Sequence, residues 1–236
     1  MNDRKKALLS SIVKEHIRTG SAVGSKLLVD KYQFGVSSAT LRNEMLALEK
    51  DGFLTHQHTS AGRVPTEKGW KYYLDNFVKD KEISKKESDF LTNILEKSKD
   101  IEADMATKRL AKALAELSKQ AVIVGFTPDD VYYTGISHLF SHQEFRQFDL
   151  ISHMTEVIDH LDDVVHDLFP RLSDSVEILV GNDNPFGKNC GVMVVQYHGA
   201  EGKAGLMGIL GPIRMDYSAN MGRLHHVREL LENNLK

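Results

Sequence analysis

Seven consecutive positions, 37 to 43, hold Ser37, Ser38, Thr40, Arg42 and Asn43, with no acidic side chain among them. Hydroxyls, a guanidinium and a carboxamide are groups that bond phosphate oxygens and base edges. A second polar run holds His58, Thr59, Ser60, Gly62 and Arg63. There the hydroxyls and the guanidinium suit phosphate, and the glycine lets a backbone come close. Protonation of His56 or His58 would add positive charge beside DNA, although a plain loop role accounts for both. Other constellations suggest different chemistry and carry less. His138 and His142 stand four apart, but no nearby acid or cysteine completes a metal set, so they read as surface histidines. Gly202, Gly205, Gly208 and Gly211 recur every third residue without the Walker spacing or its lysine. They read as turn and close-contact glycines. Arg214, Asp216 and Tyr217 read as a lock between a strand and a helix. No nucleophile, base and orienting group come together, so no enzyme, metal or cofactor is expected.

The polar cluster needs a helix to present it. Ser37 is a natural N-cap, Gly52 can close the helix in the left-handed conformation, and Leu41, Met45 and Leu48 form a core stripe. Ahead of it, Leu8, Leu9, Ile12, Val13 and Ile17 mark a first helix ended at Thr19-Gly20. A short second helix, capped by Ser25, has Leu27, Leu28 and Tyr32 as its core residues, and Phe34-Gly35-Val36 is a tight connection. After Gly52 the pattern changes to two short strands, Phe53-Leu54-Thr55 and Arg63-Val64-Pro65, around a polar loop. Thr66 then caps a helix whose Trp70, Tyr73, Leu74 and Phe77 read as core. Helix–turn–helix followed by a polar hairpin is a winged helix, in which the first turns of the third helix enter the major groove.

Lys79 to Ser88 reads as a charged, uncapped connector. Phe90 to Leu117 has helical register, as one helix or as two broken near Lys99-Asp100, and could serve as a core helix or a dimer seam. Beyond it, strands are expected at 121–126, 131–133, 176–180, 191–197 and 204–210. A helix or two fill Phe148 to Phe169, stopped by Pro170, and a last helix covers Leu224 to Leu235. His225 and His226 read as solvated. The expected organisation is a winged-helix domain over 1–80, a helical linker over 81–120 and an α+β domain over 121–236.

Composition agrees with this division. The 236 residues are 41% hydrophobic, enough for a packed core, and no apolar run reaches membrane-spanning length. A polar start makes a secretory signal unexpected, and Cys190 alone excludes a disulfide framework, which fits a cytoplasmic protein. Residues 1–81 carry 14 Lys and Arg against 9 Asp and Glu, and the remainder 16 against 24. A basic unit ahead of an acidic body is the footprint of a nucleic-acid-binding module joined to a second domain.

Several segments resemble the bacterial heat-inducible transcription repressor family HrcA. They are Ser37 to Met45, Gly52-Phe53-Leu54, His58 to Thr66 with Lys68 to Tyr73, Gly181-Asn182-Asp183-Asn184, and Gly208 to Tyr217. They occur in family order along almost the whole chain. The resemblance implies a repressor of chaperone operons that binds a double-stranded, inverted-repeat operator (CIRCE) as a homodimer, with the chaperonin GroE as a partner and no membrane. The implied fold is α+β, a winged helix-turn-helix followed by a GAF-like domain. That domain is expected to be reduced, because the long central segment usual between the counterparts of Pro128 and Tyr132 is missing. The alternative is a winged-helix regulator whose second domain binds a small effector.

Overall fold

Helix α1 (Asp3–Thr19) starts where the Asn2 side chain accepts from the Lys5 N–H, and it stops at Gly20 in the left-handed conformation, φ 67°. The structure is a computed structural model that describes residues 1–56, 62–142, 145, 148–199 and 202–234. They divide into two compact units, Met1–Lys79 and Asp80–Lys236.

In the first unit, α1 is followed by α2 (Ser25–Lys31), α3 (Ser38–Lys50), β1 (Leu54–Thr55), β2 (Val64–Pro65) and α4 (Glu67–Phe77). The strands pair antiparallel, Leu54 opposite Pro65 and Thr55 opposite Val64. Val23 bridges to Arg63 and supplies a third rung beside them. Leu8, Leu9, Ile12, Val13, Leu28, Leu41, Leu48 and Leu54 close the core with Trp70 and Tyr73 of α4. Two expectations for α2 fail. Gly24 is its N-cap, with no side-chain bond, and the Ser25 hydroxyl lies 3.2 Å from that of Ser38. Leu27 is 39% exposed, because a helix of seven residues turns only one narrow face inward and Leu28 takes it.

Glu15 is buried on α1, a position that apolar periodicity does not flag. Lys31, Arg18 and the Tyr32 hydroxyl all donate to its carboxylate. Burial pushes this carboxyl up, and those three donors more than reverse the effect, bringing it to about 2. A depressed folded pKa stabilises the fold fully above the unfolded value near 4.5, and the gain fades as pH falls from there through about 2. Lys31 and Arg18 are half exposed, so solvent screening holds the contribution to about 1–2 kcal/mol. Urea unfolding should show Glu15→Gln less stable than the parent by that amount at pH 7. The two curves should meet near pH 2, and a gap that persists there would exclude this cause.

The second unit runs α5 (Lys85–Glu96), α6 (Ala103–Ser118), β3 (Ala121–Thr127), β4 (Asp130–Thr134), α7 (Ile136–Ser141), α8 (Phe148–Asp159), α9 (Leu161–Leu168), β5 (Glu177–Val180), β6 (Cys190–His198), β7 (Ala204–Pro212) and α10 (Tyr217–Asn234). The five strands form an antiparallel sheet in the order β4-β3-β7-β6-β5. Side chains alternate between its faces. Ala121, Ile123, Val192, Val194, Leu206 and Leu210 join Leu139, Met154, Leu161, Val165 and Leu168 in one apolar cluster. The alternate set, Val122, Val124, Met193, Val195, Met207 and Ile209, is buried as well, on the face where α6 and α10 pack. Burial on both faces explains the continuous apolar runs of β6 and β7.

Several sequence expectations change here. The stretch 81–120 forms α5 and α6, and α6 buries Leu110, Ala111, Leu114 and Ala115, so both helices belong to the second unit. The segment from Lys79 to Ser88 is not uncapped. Ser84 accepts from the Glu87 N–H while the Glu87 carboxylate accepts from Ser84, a capping box that starts α5. The final helix begins at Tyr217, seven residues earlier than apolar spacing suggests, and its first turn is set by Asp216 accepting from the Ala219 N–H at 3.1 Å. His225 bonds Asp80 at 2.6 Å and His226 bonds Ser88 at 3.1 Å, so neither is simply solvated. Where the family's central segment is expected, β3 and β4 close directly, Thr127 opposite Asp130.

The Gly208 to Tyr217 run resolves into packing. The Tyr217 hydroxyl donates to the Ile213 carbonyl at 2.7 Å, and its ring fills the space above Gly191. Gly205 lies beneath the Tyr197 ring and Gly211 beneath the Gln120 side chain, each too close for a Cβ. Asn184 accepts from the Phe186 N–H and donates to the Cys190 carbonyl, which accounts for the Gly181 to Asn184 motif as a buried turn. Burial pushes the Cys190 thiol up to about 12, which makes it a core side chain rather than a nucleophile. His138 bonds Glu116, and His142 bonds the Lys119 carbonyl.

Candidate nucleic-acid interface

Helix α3 turns Leu41, Glu44, Met45 and Leu48 inward. Helical geometry then sends Ala39, Arg42, Asn43, Leu46 and Lys50 outward as one stripe, and all five are exposed. Neither Arg42 nor Asn43 makes a side-chain hydrogen bond or ion pair among the described residues. Their donors and acceptors are therefore available to a partner outside the unit. Glu44, the acidic residue of the inner face, is 9% exposed, and the Arg4 guanidinium from α1 bonds it. That pairing keeps the acid away from the outer stripe.

The hydroxyls of this helix have internal partners. Ser37 Oγ accepts from the Thr40 N–H at 3.2 Å and lies 3.0 Å from Thr40 Oγ1. Ser38 is bonded to Ser25, which ties α3 to α2. What this end presents outward is the remaining backbone N–H groups of the first turn and the positive end of the helix dipole. Removing the cap in Ser37→Ala should cost about 0.5–2 kcal/mol of stability. Circular dichroism melting checks this, and an unchanged midpoint would show the cap to be dispensable.

On the hairpin, His58, Thr59 and Ser60 lie outside the described residues, so the interface is described without them. The residues that flank them are tied to α3. Glu49 accepts from His56 Nδ1 at 2.5 Å and from Arg63 Nε at 2.8 Å. The bond from His56 holds the Glu49 carboxyl below the usual carboxylate range, with Arg63 adding to it against partial burial. Arg63 thus sits at the base of the hairpin with one guanidinium edge anchored. Gly62 has a steric role within the unit. A Cβ there would stand 2.2 Å from the Val23 carbonyl carbon and oxygen.

Of the ten sequence candidates, the fold leaves Arg42 and Asn43 outward and without side-chain partners among the described residues, gives Ser37, Ser38, Thr40 and Arg63 internal partners, and uses Gly62 as a spacer. Sequence reasoning passed over Ala39, Leu46 and Lys50. Leu46 and Lys50 stand four and eight positions after Arg42, so helical periodicity could have found them. Leu46, 40% exposed, suits apolar contact with a thymine methyl group. Glu49 was legible only as a solvated charge, because its two partners come from the hairpin.

Comparison with known proteins agrees with this architecture. The family model described as "HrcA protein C terminal domain" matches residues 68–221. A heat-inducible transcription repressor HrcA from Kineococcus radiotolerans is 39% identical over 125 residues, 53% of this chain and 36% of that protein. The one from Mycolicibacterium smegmatis is 41% identical over 125 residues, with the same shares. The alignments thus span little more than a third of those relatives' length. A crystal structure described only as a hypothetical protein superposes with a TM-score of 0.77 at 15% identity, covering 100% of this chain and 98% of that one, which is a likeness of fold.

Proposed function

The chain belongs to the HrcA family, and from that premise we propose that it is a DNA-binding transcriptional repressor of chaperone operons that reads an inverted-repeat, CIRCE-like operator as a dimer. The observation that carries this reading is the outward pair Arg42 and Asn43, without side-chain partners among the described residues, at the start of a helix whose other face is locked into the core. A guanidinium can take both acceptors of guanine and a carboxamide both edge groups of adenine, each good pair giving about 1–3 kcal/mol of discrimination. Arg63, and the backbone around Gly62, sit where a hairpin meets the phosphate backbone beside the helix. Arg63 has a positioning role here, held by Glu49 in register with α3.

Dimerisation in this reading uses the second unit. Phe90 on α5 and Met105 on α6 are 41% and 47% exposed, an apolar surface that supports pairing through these helices. Chaperonin enters through the family and is tested by adding purified GroE to an operator titration. The protein acts where its operator is, in the cytoplasm.

Selection of bound sequences from random duplexes, with native mass spectrometry of the complex, tests the reading. The expected product is an inverted repeat bound by two chains, with half-site centres about 10–10.5 base pairs apart or a multiple of that. Enrichment of no motif at low salt would overturn it.

A further inference from the structure

On the sheet face that carries α6, a cavity of about 280 Å³ opens between α6, the β3–β4 hairpin and the start of β7. Its floor is Tyr197, 4% exposed, whose ring lies over Gly205 so closely that a Cβ there would come within 2.4 Å. The phenol makes no hydrogen bond among the described residues. The residue is buried but its hydroxyl is open to the cavity, where it can donate to or accept from whatever enters. Beside it Thr107 is also buried. Its hydroxyl donates to the Ala103 carbonyl at 2.9 Å, so toward any further group it can only accept. Two carboxylates, Asp104 on α6 and Asp130 on β4, stand at the rim, and neither makes an ion pair or side-chain hydrogen bond among the described residues. Phe126 forms an apolar wall, and the Lys108 ammonium already lies 5.2 Å from its ring centroid.

These groups ask for one kind of ligand. Two carboxylates and two hydroxyl oxygens call for a compact cation with several N–H donors. A primary ammonium carries three. A phosphate-bearing ligand would meet like charge. Among the described residues no three His, Cys, Asp or Glu side chains gather as a metal set. The volume falls just under the roughly 300–1,000 Å³ of drug-sized pockets, which selects a small molecule.

We propose that this cavity binds a small molecule through a primary ammonium group seated between Asp104, Asp130 and the Tyr197 hydroxyl, with its aliphatic part against Phe126. An alkyl diamine and a zwitterionic amino acid share that group. The site is independent of the DNA reading, since it lies wholly within the second unit and its test uses no DNA.

Thermal melting and calorimetry of the full chain, with 1,4-diaminobutane, a panel of amino acids and succinate as the anionic control, test the proposal. A bound amine should raise the melting temperature by roughly 5 °C at a hundredfold excess over Kd. Diamine alone, or amino acid alone, identifies the source. Tyr197→Phe should keep the ligand-free melting temperature, because its hydroxyl has no bond to lose among the described residues, and should weaken binding about tenfold. Asp104→Asn with Asp130→Asn, both on the surface, should abolish the shift. The proposal fails if no amine shifts the protein at millimolar concentration, if succinate shifts it equally, if these variants bind as the parent does, or if Tyr197→Phe melts lower without ligand.

Discussion

Arg42→Ala is expected to weaken binding to the selected operator by about 10- to 100-fold while leaving binding to unrelated duplexes within about twofold. The reasoning rests on position. Arg42 stands on the outer stripe of α3, makes no side-chain bond among the described residues, and lies one residue from Asn43, so its loss removes an outward group and no described internal bond. Stability should therefore stay within about 0.5 kcal/mol of the parent. Arg63→Ala should behave differently. It should weaken all duplexes alike and lower the slope of log K against log salt by about 1, the signature of a lost phosphate contact. It should also loosen the hairpin, because Glu49 loses the guanidinium that it holds at 2.8 Å. Fluorescence anisotropy across salt and operator variants separates the two. If both variants lose affinity in parallel on every sequence, the assignment of base reading to α3 and backbone contact to the hairpin is wrong.

The largest structural effect is expected from Gly62→Ala. A methyl group there would sit 2.2 Å from the Val23 carbonyl and 2.7 Å from the Gly24 nitrogen, all backbone atoms that cannot rotate away. The hairpin must lift from Val23, and the two bonds of that bridge, Val23 N–H to Arg63 O and Arg63 N–H to Val23 O, each 2.9 Å, would open. Each backbone bond contributes about 0.5–1.5 kcal/mol net, so about 1–3 kcal/mol should go from the first unit. Arg63 would also move away from Glu49, so operator affinity should fall with stability. Gly24→Ala is the control, since a Cβ there meets nothing within 4 Å. Urea unfolding of both variants is decisive. Equal midpoints would mean that the close approach at Gly62 is not a constraint.

Much of this molecule is legible in residue order because its signals are local. Ser37, Gly52 and Thr66 mark helix ends through bonds that reach no further than three or four residues. The stripe Leu41, Met45, Leu48 sets which side of α3 is buried, and so the opposite side as well. The capping box at Ser84 and Glu87 is equally local and equally readable, but the density of charge around it suggests a linker instead.

Contacts between distant segments decided the rest. Whether a polar side chain of α3 is available or engaged depends on what lies across from it. Ser38 is taken by Ser25 and Glu44 by Arg4, and nothing in their own helix announces either pairing. Gly62 reads as a site for close approach, and only the fold shows that the Val23 backbone comes close to it. The cavity above Tyr197 is the extreme case. Its acidic groups come from α6 and β4 and its phenol from β6, residues separated by dozens of positions, brought together because antiparallel pairing sets Tyr197 opposite Gly205. A repeating pattern records which way a residue faces, whereas what it faces is settled when remote segments pack.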